Sequence, residues 1–354
     1  MKILVRGANW IGDAVMSIPA MRELRRLFPD DEITLYARPW AEGLFRDADF
    51  IDQILTIEAR GSNFRDTLFE ARRLKKNEHD MAVLFTNSFQ SAAVIRLSGI
   101  PRRIGYSREG RGVLLSDAIK PPIWKDERHQ AFYYLNIIER IEKGFLGSST
   151  VAAGDPVCEL AVTDERRRSA RSLFADAGVD PMKKIVAFGP GSTNSMAKRW
   201  GEAKFAELGQ RLQTELGTNI ILLGSESETD VSRGVCALAD AHFIDLTGKT
   251  NLAEATAILS EVDVFVSNDM GLAHVAAAVG TKTIVIFGPT NAAATRPLGD
   301  HAEIVRHPVE CSPCMLRKCP IDHRCMTRVS ADEVFEKVKR AFNAKSQRRK
   351  DAKI

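Results

Sequence analysis

The sequence predicts an α/β protein of two domains, each built on a parallel β-sheet covered by helices. Three observations predict this class. The chain has 354 residues, whereas single hydrophobic cores stop growing near about 250 to 300 residues. The stretches KILVRG and KKIVAFGPG, which begin at Lys2 and Lys183, each place an apolar run before a glycine-containing loop and a helical pattern. Strand-like and helix-like stretches then alternate, which is typical of parallel sheets.

The first half continues this alternation from its opening strand. Further strands are expected at residues 33–37, 81–85 and 102–106, with helices at 21–28 and 64–76. The stretch GFLGSSTVAAGDP, residues 144–156, is rich in small and turn-forming residues and has no periodicity. We therefore place the connection between the domains in or soon after it.

The second half is the more regular one. The helix candidate DERRRSARSLFADAG leads into it, and the helical stretches KFAELGQRLQTEL, LAEATAILSEV and AHVAAAVG then alternate with the strands NIILLG, VFVSND and KTIVIFG. Residues 330–344 form a further helix candidate with serine at its N-cap, followed by a basic tail. We therefore expect an N-terminal Rossmann-like domain at 1–160, a C-terminal Rossmann-like domain at 161–330, and a helix with a basic tail at 331–354.

The composition is that of an ordinary globular protein. Apolar residues make up 44% and charged residues 27%, and the formal charge of +4 is too small to indicate a nucleic-acid partner. No apolar run approaches the ~20 residues that span a bilayer, and the N-terminus lacks the pattern of a secretory signal. A cytoplasmic location and a monomer are expected, and the basic segments allow peripheral contact with the inner membrane.

Four of the six cysteines lie in the stretch ECSPCMLRKCPIDHRC, as Cys311, Cys314, Cys319 and Cys325. In a cytoplasmic chain, such clustering favours thiols or a metal over disulfides. The spacing lacks the long spacer that separates the ligand pairs of common zinc sites. Free thiols in a tight loop and a structural metal such as zinc therefore stay open as alternatives.

The opening loop, RGANWIGDAV, has an acid where a nucleotide-binding loop has a glycine. A dinucleotide fingerprint reads G-x-G-x-x-G, but here Asn9 stands at the middle position and Asp13 follows Gly12. A carboxylate would repel a diphosphate at this helix start, so the loop is predicted to bind something else. Asp13 is either an N-cap or first-turn acid, stabilised by backbone N–H groups and the helix dipole, or a general base at the sheet edge where ligands bind.

The first loop of the second domain, GPGSTNSMAKRW, carries groups that suit a diphosphate. Ser192 and Thr193 supply hydroxyl donors beside two glycines, and Lys198 supplies positive charge. A loop with solvated lysines is the alternative. After the strand NIILLG, Glu226 and Glu228 are placed to accept hydrogen bonds from ribose hydroxyls, or are surface acids.

The stretch VFVSNDMGLAHVAAAVG runs from a buried strand into a helix of small residues. The N–H groups that open such a helix point at any ligand before it. Gly271 permits close approach of the backbone, and Asp269 and His274 are candidate ligand contacts, although a histidine at this position is also compatible with a structural role.

These motifs together resemble a known enzyme family. IGDAVMSIPA, PGS followed by AKRW, and SNDMGLAHVAAAVG occur in this order in the ADP-heptose:lipopolysaccharide heptosyltransferases of glycosyltransferase family nine. The similarity spans nearly the whole chain, and the cysteine-rich stretch is most similar to heptosyltransferase II members, which add the second heptose of the inner core. The resemblance implies a GT-B architecture, with two Rossmann-like domains facing each other across a cleft.

The resemblance also implies a chemistry and its residues. It implies inverting transfer from ADP-heptose to an anionic inner-core lipopolysaccharide, with no cofactor and no divalent metal. Asp13 of the G-D pair matches the proposed general base, and Lys198 matches the lysine that contacts the diphosphate. The loop that lies against diphosphate and sugar matches Asp269, Met270, Gly271, Leu272 and His274. Many relatives have Ser or Thr where Met270 stands, so a hydroxyl contact expected there falls to the backbone or is lost.

The acceptor is expected to bind mainly to the N-terminal domain. The opening loop offers Asn9, Trp10 and Gly12. Arginine suits bidentate recognition of phosphates and carboxylates, and the candidates of this type are Arg60, Arg102, Arg103, Arg108 and Arg111.

Three other functions stay open. Acceptor use of the heptosyltransferase I type is one, since single pocket residues decide between acceptors. A sugar-nucleotide epimerase of GT-B shape would need catalytic carboxylates on both sides of the sugar, and the sequence shows no convincing second one. A non-catalytic nucleotide-binding module would keep the loops of Lys198 and Gly271 but would have no use for Asp13.

Overall fold

The computed structural model describes residues 1–59, 61, 63–151 and 154–351, and it divides into two compact units. The first unit spans Met1–Cys158 and the second spans Glu159–Ile354. The candidate acceptor residue Arg60 lies outside the described residues.

The first unit is a parallel sheet of six strands in the order β3-β2-β1-β4-β5-β6. Its strands are β1 (Lys2–Arg6), β2 (Glu32–Ala37), β3 (Gln53–Thr56), β4 (Met81–Leu84), β5 (Arg102–Tyr106) and β6 (Asp117–Ile119). Its helices are α1 (Ile11–Met16), α2 (Ile18–Leu27), α3 (Trp40–Phe45), α4 (Phe64–Lys75), α5 (Phe89–Leu97) and α6 (Gln130–Leu146). A 3₁₀ turn, Arg111–Leu114, lies between β5 and β6.

The second unit repeats this topology with the sheet order β12-β11-β10-β7-β8-β9. Its strands are β7 (Ile185–Gly189), β8 (Asn219–Leu222), β9 (Ile244–Asp245), β10 (Val264–Asn268), β11 (Lys282–Ile286) and β12 (Ala302–Val305). Its helices are α7 (Asp164–Asp176), α8 (Glu202–Leu216), α9 (Thr229–Leu238), α10 (Leu252–Glu261), α11 (Gly271–Ala278), α12 (Ala292–Thr295), α13 (Arg324–Thr327) and α14 (Ala331–Asp351).

In each sheet, the order in which the chain adds strands reverses between the two central strands. In the first unit the chain builds outward from β1 to β3 and then restarts on the other side of β1 with β4. In the second unit, β7 and β10 stand in the same relation. In open α/β sheets, ligands bind at the carboxyl ends of the strands beside this point. The loops that follow β1, β4, β7 and β10 are therefore the places to look for a site.

Each unit has its own apolar core. In the first, Leu4, Ala82 and Leu84 of the central strands pack with Ile95 and Leu74 from α5 and α4. The core of the second unit includes Phe188 and Trp200 together with Phe335 and Val338 from α14. The last helix is therefore part of the second unit's core.

Helix α6 packs on α1 and α2 and is anchored at its C-terminal end. Its buried Glu142 accepts hydrogen bonds from Arg26 of α2 and from the backbone N–H groups of Thr150 and Val151. Burial alone would raise the pKa of Glu142, but these bonds and one from Ser149 outweigh it and lower the pKa to about 2. The carboxylate therefore stays charged and holds α6 in place at neutral pH.

Among the helices of the described residues, none is both long and apolar enough to cross a membrane.

Candidate active site

The loop after β1 places Asp13 at the carboxyl edge of the first sheet. The N-cap of α1 is Trp10, so Asp13 is a first-turn residue of the helix rather than its cap. A carboxylate in the first turn is stabilised by the positive end of the helix dipole. Asn9 and Trp10 are exposed in the same loop, and Trp10 keeps 62% of its surface open to solvent. The structure thus brings the loop residues predicted from the sequence together at this edge.

The phenol of Tyr134, on α6, contacts Asp13 directly. Its hydroxyl donates a hydrogen bond of 3.1 Å to Asp13 Oδ1. Burial raises the pKa of Tyr134 well above its usual value, and the charge of Asp13 raises it further. The sequence-based prediction missed Tyr134, although the stripe Tyr134, Ile137, Ile138 and Ile141 has the helical spacing that reveals α6.

A buried arginine supports the same loop. Arg6, the last residue of β1, is 6% exposed, and its guanidinium donates to the backbone oxygen of Gly7 and to Asn9 Oδ1 at 2.7 Å. Burial lowers the pKa of Arg6 to about 10, so it remains charged at neutral pH. Arg6 could have been identified from the sequence, because it is a charged residue that directly follows the apolar run of β1.

The arginines predicted to bind the acceptor take different places. Arg102 and Arg103 begin β5 and so lie at the opposite edge of the sheet from Asp13. Arg102 stacks on the ring of Phe145, with 4.4 Å between the guanidinium carbon and the ring centre, and Arg103 donates to the backbone oxygens of residues 100, 101 and 114. The structure does not bring these two residues to Asp13.

Arg111 is fully buried, with 0% of its surface exposed. Its guanidinium donates to the backbone oxygens of Tyr106, at 2.7 Å, and of Thr86. It therefore supports the loop after β4 from within the protein instead of facing an acceptor. Arg108 is half-buried beside the hydroxyl of Tyr133, whose pKa is raised by burial and lowered by Arg108 and Asn87. Of the four described arginines that were predicted to bind the acceptor, Arg108 is the one that is both at the carboxyl edge and accessible to solvent.

In the second unit, the loop after β7 is held by one buried amide. Asn268, the last residue of β10, donates to the backbone oxygens of Pro190 at 2.7 Å and Gly191 at 3.2 Å, and accepts from the N–H of Trp200 at 2.9 Å. Its side chain is 0% exposed. Both ends of the loop that contains Ser192 and Thr193 are therefore fixed to the neighbouring central strand. The sequence-based prediction did not single out Asn268.

Lys198 and Asp269 form an ion pair at the carboxyl edge of the second sheet. Lys198 Nζ lies 2.8 Å from Asp269 Oδ2, which also accepts a hydrogen bond of 2.7 Å from Thr290 Oγ1. The Asp269 side chain is 8% exposed and the Lys198 side chain 27%. The two predicted residues thus meet, and Thr290 in the loop after β11 is an addition that the sequence did not reveal.

Helix α11 begins directly after Asp269 and contains several of the predicted contacts. Its N-cap is Met270, and among the described residues no side chain caps its first N–H groups. A Cβ at Gly189 would lie 2.6 Å from Met270 Sδ, so glycine is needed there for the two loops to approach. Leu272 and His274 are buried within the helix. The free N–H groups at this helix start suit an anion.

The two acids after β8 differ in their surroundings. Glu226 is exposed, whereas Glu228 is 3% exposed. Glu228 Oε2 accepts from the backbone N–H and the hydroxyl of Ser225, each at 2.8 Å. Its other oxygen, Oε1, has no hydrogen-bond partner among the described residues and faces Gly191, where a Cβ would overlap it. A buried carboxylate oxygen without a hydrogen bond is costly, so Glu228 is a strained acid next to the loop after β7.

The cysteine-rich segment supports the turn that carries Lys198. Ala197 donates its N–H to the backbone oxygen of Arg317 at 3.0 Å, and its own oxygen lies 2.6 Å from His323 Nε2. Ser195 Oγ donates to the same Arg317 oxygen at 3.4 Å. The segment therefore acts on the site through backbone contacts, which the spacing of its cysteines did not predict.

Within the described residues, the four clustered cysteines form no disulfide. Burial raises the pKa of Cys325, and the nearby Cys311, Cys314 and Cys319 raise it further. Within the described part of the chain, no three His, Cys, Asp or Glu side chains are grouped as a metal site. A structural metal at these cysteines stays an untested prediction.

Two parallel six-stranded sheets, each with polar and charged side chains in the loops at its carboxyl edge, define an α/β protein of two Rossmann-like units. The model of glycosyltransferase family 9 (heptosyltransferase) matches residues 69–324, so this chain belongs to that family and is a glycosyltransferase. The resemblance found in the sequence is thereby confirmed.

Similar proteins agree with this assignment. The chain is 29% identical over 320 residues to lipopolysaccharide heptosyltransferase 2 of Escherichia coli, covering 86% of this chain and 88% of that protein. It is 28% identical to lipooligosaccharide heptosyltransferase 2 of Haemophilus influenzae over the same shares of the two chains. The structure of E. coli ADP-heptose lps heptosyltransferase II superposes with a TM-score of 0.84, at 24% identity, covering 98% of this chain and 100% of that one. The predicted GT-B fold class is therefore confirmed.

Proposed function

We propose that this protein transfers L-glycero-D-manno-heptose from ADP-heptose to the heptose of the lipopolysaccharide inner core, with inversion and without a divalent metal. The names of its relatives support heptose transfer to a lipopolysaccharide or lipooligosaccharide, and the similar E. coli structure is that of an ADP-heptose-dependent enzyme. The observation that carries the mechanism is the place of Asp13, a first-turn carboxylate after β1 and beside the switch point of the sheet. A carboxylate repels a phosphate at this helix start, which favours a role for Asp13 on an uncharged group such as a hydroxyl.

Asp13 acts as general base in this proposal. It accepts the proton of an acceptor heptose hydroxyl while that oxygen attacks the anomeric carbon of the donor. The bond between the anomeric carbon and the ADP oxygen breaks as the new glycosidic bond forms, and its electron pair leaves with ADP. Attack from the face opposite the leaving group inverts the anomeric centre. Arg108 is the described arginine that suits an anionic group of the acceptor.

The second unit binds the donor. The Lys198 ammonium has three donors, so its pairing with Asp269 leaves it able to bind the diphosphate as well. The N–H groups that open α11 face the same carboxyl edge and stabilise the charge that develops on ADP. Lys198 and the start of α11 together stabilise the negative charge of the leaving ADP, which a divalent metal ion does in other transferases. Of the two acids after β8, the exposed Glu226 can reach a ribose hydroxyl, whereas Glu228 Oε1 is buried against Gly191.

The test is release of ADP from ADP-heptose in the presence of EDTA. Inner-core acceptors with no heptose and with one heptose are compared. We expect release that depends on the monoheptosylated acceptor. Release that depends on the heptose-free acceptor would assign heptosyltransferase I activity, and loss of release on adding EDTA would contradict the metal-free mechanism.

We also propose a cytoplasmic location with peripheral contact to an anionic membrane surface. Large apolar side chains are exposed after the carboxyl ends of five strands of the first sheet, at Trp10, Phe64, Phe89, Val113 and Ile123. The acceptor is itself carried by a lipid, so a surface of this kind suits access to it. We expect the protein to sediment with anionic vesicles at low salt, and less so after Ile123→Ser. Equal sedimentation of the two proteins would contradict a contact through this surface.

A further inference from the structure

We infer that Tyr134 is a positioning residue for Asp13. The inference rests on the proposed role of Asp13 as general base. The Tyr134 hydroxyl donates to Asp13 Oδ1 at 3.1 Å and joins residues that are 121 positions apart in the chain. Tyr134 itself is 3% exposed, so the contact is made from within the core of the first unit.

The direction of this hydrogen bond is fixed by chemistry. Burial raises the pKa of Tyr134 well above its usual value, and the negative charge of Asp13 adds to this, while a hydrogen bond from Gln130 acts the other way. The phenol therefore keeps its proton at neutral pH. A carboxylate can only accept, so the phenol is the donor.

The Tyr134 ring is held by packing. Its centre lies 5.3 Å from that of Phe85, the residue after β4, and 6.2 Å from that of Tyr133. α6 packs on both α1 and α2, and the buried Glu142 anchors its far end. The hydroxyl is therefore placed by α6 and by the buried ring of Phe85 rather than by an exposed loop. Catalytic groups held this way keep the orientation that a reaction needs.

Other charged and titratable groups on the elements around α1 have partners of their own. Arg6 of β1 donates to Asn9, and His129 at the start of α6 accepts from the N–H of Ala131. The α2 residues Arg22, Arg25, Arg26 and Glu23 are engaged with Asp49, Asp52, Glu142 and one another. The Tyr133 ring stacks on that of Tyr106, with 4.1 Å between the ring centres.

The contact has a kinetic consequence. A hydrogen bond donated to a carboxylate stabilises its charged form and makes protonation harder. A general base must be unprotonated, so the bond from Tyr134 extends the active range of Asp13 to lower pH. It also restricts the carboxylate to one orientation.

The test is Tyr134→Phe, which removes the hydroxyl and keeps the ring in its packing. We expect kcat to fall about tenfold, with the Kd for ADP-heptose unchanged, because hydrogen bonds to charged groups are worth that factor or more. The acid limb of the pH profile of kcat/KM should move to higher pH by about one unit. The matched control is Tyr36→Phe, which removes a buried hydroxyl that donates to Glu70 at 2.6 Å. It should leave the acid limb where it is.

A second measurement separates this inference from the proposed function. In the Asp13→Asn background, Tyr134→Phe is expected to cause no further loss, since both changes act on one carboxylate. An unmoved acid limb, or a full additional loss in that background, would overturn the positioning role and leave Asp13 as the base. Near-normal turnover of Asp13→Asn alone would overturn the base assignment, and the inference with it.

Discussion

Asp13→Asn is expected to lower kcat by about 10² to 10⁴, the usual contribution of a general base, with little change in the Kd for ADP-heptose. An amide cannot take up the acceptor's proton, but it has the shape of the carboxylate. The Tyr134 hydroxyl can still donate to the amide oxygen at position 13, so the local structure is retained. Single-turnover rates and equilibrium binding of ADP-heptose check the two halves of this prediction.

The matched control for Asp13 is Glu42→Gln. Glu42 is also an acid in the first turn of a helix that follows a strand of the first sheet, but its exposed carboxylate pairs with Arg46. This variant should keep normal turnover. If Asp13→Asn behaved like Glu42→Gln while chemistry limited the rate, Asp13 would be a dipole-stabilising acid and not the base.

Lys198→Ala is expected to weaken ADP-heptose binding and turnover together. The change removes a cation from the diphosphate site, which costs about 10 to 10² in affinity, and from the leaving group, which costs about 10² in kcat. It also leaves Asp269, whose side chain is 8% exposed, without its ion-pair partner at 2.8 Å. Titration with ADP and ADP-heptose, followed by steady-state kinetics, checks the prediction.

A second substitution separates the two effects of Lys198→Ala, which are the loss of the cation and the loss of the ion-pair partner of Asp269. Adding Asp269→Asn removes the unpaired negative charge, so binding should partly recover while turnover should not. The control Lys183→Ala removes an exposed lysine that pairs with Asp180 and should change neither. Unaltered kinetics of Lys198→Ala would place the diphosphate elsewhere.

The central strands of both sheets were predictable from the sequence, whereas the four outer strands were not. β1, β4, β7 and β10 are buried over most of their length and read as continuous apolar runs. The outer strands β3, β6, β9 and β12 are short and partly exposed, so their residues lack both an apolar run and a clear alternation. The sheet edges are set by pairing with a neighbour, which one segment of sequence does not show.

The site could be predicted where one motif supplies the chemistry and not where distant segments meet. Asp13, Lys198 and Asp269 follow central strands, so their place at the carboxyl edges could be expected. Tyr134 reaches the site from a helix that the prediction omitted, and Thr290 comes from a separate loop. Arg111 shows the opposite case, because a basic residue in a polar stretch is fully buried by backbone carbonyls that sequence cannot locate.

The contacts of Ala197 determine how late in synthesis the turn of Lys198 can fold. The oxygen of Ala197 meets His323, a residue 126 positions later, and its N–H meets the oxygen of Arg317. Chains emerge from the ribosome N-terminus first, and their domains fold in that order. The contact between Asp13 and Tyr134 can form once Tyr134 has emerged, while the turn of Lys198 waits for nearly two hundred further residues. We therefore expect newly made protein to form the contact between Asp13 and Tyr134 early and the turn of Lys198 last, so a chain cut short before Arg317 would keep that contact and lack the backbone support of Lys198.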